Sequence, residues 1–237
     1  MPRPIVILFF LVLMQSCASQ HNLVEGRQQV ELSENLQYYL YLPDNYFSEE
    51  NKDFGLLLFL HGGGESGRQL NELTKNGPPK MMADGYPFPF LVLAPQNPYE
   101  KQWWDVRAVN QLLDYIIDDY RVDKKRIYLT GLSRGGSAAW EMAVQYPDKF
   151  AALAVVCGMA PLPYAHWMNK EMPIWVFHGA EDKVIPVSES DQMVSKLTEI
   201  GFDVRYDRYE GVGHNSWGRA YALDSLYAWF NKQKLIE

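Results

Sequence analysis

Apolar runs of strand length, alternating with segments of helical spacing, constrain this 237-residue chain more than any other feature. Runs at 54–60, 90–94, 126–130 and 151–157 are followed by 174–177 and 204–209. In the first four the apolarity is continuous rather than alternating, which predicts strands buried on both faces. Between them, Val109, Leu112, Leu113, Ile116, Ile117 and Tyr120 fall on one helical face. Further helices are predicted over 136–145, 188–200 and 216–232. Upstream, 28–32 and 36–42 read as two antiparallel strands, with Leu36, Tyr38, Leu40 and Leu42 sharing a face. Strand and helix alternating in this way imply a mostly parallel sheet with helices on both faces and chemistry at the carboxyl ends of the strands. Neither a Gly/Ser linker nor a repeat interrupts the chain after Gln28, so 28–237 reads as one domain.

The strand at 126–130 ends in Gly131-Leu132-Ser133-Arg134-Gly135-Gly136, just before a predicted helix. This G-x-S-x-G spacing suits a sharp turn that exposes a serine, because only glycine lacks the Cβ that would clash as strand and helix pass. A serine nucleophile needs a base, and of the five histidines His214 is the candidate. It lies in Gly211-Val212-Gly213-His214-Asn215, between the last strand and the last helix. His21 falls in the N-terminal segment and His166 in a loop, while His61 and His178, each before a glycine at a strand end, read as structural hydrogen-bonding residues. The orienting carboxylate is expected after another strand, where Asp182 is preferred to its neighbour Glu181 because Val184-Ile185-Pro186 closes the loop behind it. The order Ser133, Asp182, His214 is that of the α/β-hydrolase triad.

On these residues, with Leu60-His61-Gly62-Gly63-Gly64-Glu65, Ala94-Pro95-Gln96 and Trp103-Trp104, the chain resembles the α/β-hydrolase superfamily. Within it, the resemblance is to compact esterases related to feruloyl esterases, polyhydroxybutyrate depolymerases and dienelactone hydrolases. It implies an α/β-hydrolase fold and a serine carboxylic ester hydrolase acting through an acyl-enzyme on small-molecule or polysaccharide esters, acyl or feruloyl. The amides of Gly63 and Arg134 are the implied oxyanion donors, with Gly62 and Gly64 as alternatives to Gly63, and Gln96 and Trp104 are the implied substrate contacts. Residues 158–172 are too few for a lid domain, though Tyr164, His166 and Trp167 could rim the cleft. Two other readings stay open: a serine peptidase of prolyl oligopeptidase-like type on short peptides, and a surface glycan-binding lipoprotein without catalysis.

A formal charge of −7 with no basic block argues against a nucleic-acid partner. Neither a His-x-x-x-His pair, a cysteine pair nor clustered carboxylates at ligand spacing occurs, so no metal or other cofactor is expected. The apolar run from Ile5 to Met14 has ten residues, rising about 15 Å as a helix, half a bilayer core. Arg3 before it and Ser16, Cys17, Ala18 and Ser19 after it have the layout of a signal peptide over 1–16. Met14-Gln15-Ser16-Cys17 resembles a bacterial lipobox, which implies lipidation of Cys17, a tether over 17–27 and an outer-membrane location otherwise periplasmic or secreted. The second cysteine, Cys157, lies in an apolar run and reads as a buried, inert thiol.

Overall fold

The computed structural model describes residues 23–29 and 35–236. The expected signal peptide and Cys17 lie outside the described residues. Among the described residues, eight strands form one sheet: β1 (Leu23–Gln29), β2 (Asn35–Tyr41), β3 (Phe54–Leu60), β4 (Leu91–Pro95), β5 (Val122–Leu132), β6 (Ala152–Val156), β7 (Ile174–Gly179) and β8 (Val204–Tyr209). Their order is β1-β2-β4-β3-β5-β6-β7-β8, antiparallel at β1·β2 and β2·β4 and parallel from β4 to β8. This is the mostly parallel architecture that the resemblance implied.

Continuous apolarity becomes two cores. In β3, Phe54, Leu56, Leu58 and Leu60 face one cluster, and Leu57 and Phe59 face the other. The first cluster receives α2 (Val106–Asp119), α3 (Arg134–Gln145) and α4 (Ser188–Glu199). The second receives α1 (Gly77–Ala83), α5 (Trp217–Ala220) and α6 (Asp224–Lys232). Helix α2 starts on Asp105, whose carboxylate accepts from the amides of Arg107 and Ala108 and so satisfies two orphan donors. Even β2 is buried on both sides, with Leu36, Tyr38 and Leu40 in the first core and Tyr39 and Tyr41 in the second.

Three elements depart from expectation. Strand β1 starts at Leu23 rather than Gln28, so part of the segment expected to be tether pairs with β2, from Leu23↔Tyr41 to Gln29↔Asn35. Val24 packs against the first core while Leu23 is exposed, so this edge strand needs little apolarity to hold its place. The single helix expected over 216–232 is two, α5 and α6, with buried Tyr221 between them. Its hydroxyl meets Thr130 Oγ1 at 3.0 Å, and its carbonyl accepts from Tyr227 Oη at 2.8 Å. Helix α1 was not among the predicted helices, and Pro78-Pro79 falls in its first turn. Proline is tolerated in a first helical turn, where its missing N–H has no acceptor to lose.

Candidate active site

Ser133 follows β5, at the centre of the sheet, and precedes α3. Its φ of 52° and ψ of −119° lie where side chains rarely sit. The glycines on either side make that turn possible. A Cβ on Gly135 would lie 2.0 Å from the carbonyl oxygen of Leu60, and one on Gly131 would lie 2.3 Å from that of Gly135. The start of α3 therefore crosses directly over the end of β3, and the Ser133 amide is held by the Val156 carbonyl at 2.9 Å.

Two strand-end loops converge on the serine. His214, after β8, places Nε2 2.9 Å from Ser133 Oγ and Nδ1 2.6 Å from Asp182 Oδ2. Asp182, after β7, is buried, whereas Glu181 is exposed and engages the Val212 carbonyl through its backbone. Burial alone would raise the Asp182 carboxyl. The bond from His214 and the amides of Val184 and Ile185, at 2.8 and 3.0 Å on Oδ1, outweigh it and hold the group below the ordinary carboxylate range. The arrangement can pass the serine proton to His214 while an ionised carboxylate steadies the imidazole.

Asp182 Oδ2 has a second imidazole beside it. His178 Nε2 is 3.1 Å from that oxygen and 3.0 Å from the carbonyl of Ile185; both are acceptors, so Nε2 carries the proton. Nδ1 then accepts from Ser190 Oγ on α4, at 2.7 Å. His61 is likewise spoken for: Nδ1–H donates to the Gly62 carbonyl at 2.6 Å and Nε2 accepts from the Asn97 amide at 2.9 Å.

Gly63 opens a 3-10 turn, Gly63–Glu65, and Arg134 is the first residue of α3, so its amide has no acceptor within the helix. A Cβ on Gly63 would meet the Arg134 guanidinium at 3.0 Å, which puts the two residues side by side. That guanidinium donates to the carbonyls of Glu100 and Gln102 at 2.9 and 3.2 Å, tying α3 to the loop after β4. Glu65 is buried and accepts from Asn76 Nδ2 at 2.6 Å. Asn76 Oδ1 accepts from Trp217 Nε1 at 3.0 Å, and the Trp217 ring meets His214 edge to face, 5.3 Å between centroids. No local motif marks Asn76 or Trp217, which are joined across 141 positions.

The expected substrate contacts Gln96 and Trp104 are both buried, at 2% and 6% exposure. Gln96 Nε2 donates to the carbonyls of Glu65 and Gln69, and Trp104 Nε1 to that of His61. Both brace the loop after β3 from behind. Trp103, at 58% exposure, is the ring that reaches an opening of about 370 Å³, lined also by Ser137, Glu141, Met159, Tyr164 and Glu189. A wider polar basin of about 1030 Å³ lies beside Gly63 and Gly64, with Ser66, Gln69, Tyr99 and Lys101 on its walls.

The chain is 26% identical over 71% of its length to "Probable acetylxylan esterase A" of Aspergillus terreus and spans 57% of that protein. It is 27% identical over 64% of its length to feruloyl esterase B of Thermothelomyces thermophilus, spanning 53% of it. The chain thus spans about half the length of these relatives. A crystal structure of a thermostable esterase superposes with a TM-score of 0.78 at 30% identity, over 90% of this chain and 63% of that one. A family model described as phospholipase/carboxylesterase matches residues 46–229, and the chain belongs to that family of α/β-hydrolases.

Proposed function

We propose that the chain is a serine carboxylic ester hydrolase. The observation that carries this reading is the unbroken hydrogen-bond chain from Ser133 Oγ through His214 to Asp182, at 2.9 and 2.6 Å. Ser133 Oγ attacks the acyl carbon as His214 Nε2 takes its proton, and Asp182 stabilises the imidazolium without itself becoming protonated. The amides of Gly63 and Arg134 receive the oxyanion. His214 returns the proton to the leaving alcohol, and the acyl-enzyme is then hydrolysed by a water activated in the same way.

Acyl or feruloyl esters of polysaccharide are the proposed substrates. The names of the relatives support this class, as does an open polar basin beside the oxyanion loop, wide enough for a polyol. Export and lipidation at Cys17 remain part of the proposal, supported by the charged, apolar and small-residue order of the first nineteen residues. Loss of acyl labelling in Cys17→Ala tests that part.

Hydrolysis of p-nitrophenyl acetate, methyl ferulate and an aminoacyl anilide, with Ser133→Ala and His214→Ala alongside, tests the activity. Release of acetate or ferulate should fall by about 10³-fold or more in both variants while their folding is retained. Full activity in a folded Ser133→Ala protein would refute the assignment, and cleavage of the anilide alone would make the chain a peptidase.

A further inference from the structure

Cys157 follows β6 in a left-handed conformation, φ 42°, and is fully buried. Its Sγ, a carboxylate oxygen of Asp182 and a ring nitrogen of His214 all lie within 4.8 Å of one another. The hydroxyl of Ser216, also fully buried, lies against the thiol. The proposed hydrolysis uses neither group. Burial pushes the thiol up to about 12, so at neutral pH it is a protonated, poor nucleophile.

We infer that Cys157, Asp182 and His214 form a latent site for a thiophilic divalent cation such as Zn2+, which fills only by dismantling the Ser133–His214–Asp182 chain. The donor set is sulfur, nitrogen and one carboxylate oxygen, which suits zinc or cadmium rather than magnesium or calcium, whose ligands are oxygens in greater number. Tetrahedral zinc holds such donors about 3.5 Å apart, so the cluster closes by small side-chain shifts and the short Asp182–His214 contact opens. Charge supports the same occupant. A thiolate and a carboxylate neutralise a dication, so the filled site buries no net charge.

The step balances without a redox partner. The cation replaces the thiol proton, which leaves to solvent, and a metal–sulfur bond forms. If Nδ1 of His214 coordinates, its proton moves to Nε2, which can no longer accept from Ser133; if Nε2 coordinates, the lone pair that serves as base is occupied. Either way turnover stops reversibly. Fixed spacing in the sequence gave no sign of this set, because its members come from three separate strand-end loops.

The inhibitory part rests on the proposed hydrolysis, but binding can be read without it. The full chain carrying Cys17→Ser, which leaves Cys157 as its one thiol, is titrated with Cd2+ while its ultraviolet thiolate-to-metal charge-transfer band is followed. One equivalent should produce the band, and Cys157→Ser in the same background should abolish it. In parallel, Zn2+ should suppress p-nitrophenyl acetate hydrolysis and EDTA should restore it. Cys157→Ser should keep its metal-free activity and need at least about tenfold more Zn2+ for the same inhibition. Absence of the band, or its survival in Cys157→Ser, overturns the site. A saturated band with undiminished hydrolysis overturns its coupling to the triad. A protein that shows the band but hydrolyses nothing refutes the proposed function and leaves the site standing.

Discussion

Asp182 is held by two imidazoles, and only one of them faces the serine. His178 Nε2–H shares Oδ2 with His214, while Ser190 on α4 fixes the far side of the His178 ring. A hydrogen bond to a charged group contributes about 1.5–3 kcal/mol. His178→Gln should therefore lower kcat by roughly ten- to a hundredfold, through a misplaced carboxylate, and leave KM within about twofold. A merely structural His178 would change thermal stability and expression without that split, so steady-state kinetics beside a melting curve decide its role. Ser133 and His214 were legible in the sequence because glycine spacing and chain order mark them. The contact of His178 with Asp182 was not, since its partners sit four, seven and twelve residues away in a fold that no local spacing describes.

Among elements, the strand–turn–helix of β5 and α3 has the least room. The Cβ of an alanine at 135 would lie 2.0 Å from one backbone carbonyl oxygen and 2.4 Å from the next, and neither can swing away as a side chain would. Gly135→Ala should cost about 3 kcal/mol or more, read as a drop in the denaturant midpoint or as insoluble protein. Gly64→Ala, on the exposed side of the 3-10 turn after β3 with nothing within 4 Å, should stay within about 0.5 kcal/mol of the parent. Equal stability of the two variants would refute the close crossing of α3 over β3. Strand positions were legible for the buried strands because their apolar runs are continuous. Helix α1 was hidden by Pro78-Pro79, the break between α5 and α6 by an unbroken apolar pattern, and the start of β1 by its polar edge.

At the scale of the whole molecule, parallel strands deliver the active-site loops to one edge, and buried polar residues lock those loops to each other. His61 is the clearest lock. It leaves the end of β3, accepts from the Asn97 amide beyond β4, and packs on Trp104 with 4.6 Å between ring centroids. Accepting from the Asn97 amide requires a neutral ring. Burial drives its pKa down from 6.5 to about 4, against the opposing pull of the Gly62 carbonyl and with help from the Arg134 charge. The unfolded chain, with an ordinary histidine, therefore binds more protons than the folded one between about pH 6.5 and pH 4. The stabilisation from His61 is complete above pH 6.5 and is lost as pH falls through the folded-state value, a total of about 3 kcal/mol at 1.36 kcal/mol per unit. Urea unfolding of the parent and of His61→Gln across this range isolates that share. The parent should be the more stable at pH 7, and the gap between the two should narrow by about 3 kcal/mol on reaching pH 4. A gap that stayed constant with pH would mean that the ring takes up a proton as readily in the folded molecule as in the unfolded chain, and that the lock between β3 and the loop after β4 does not depend on its neutrality.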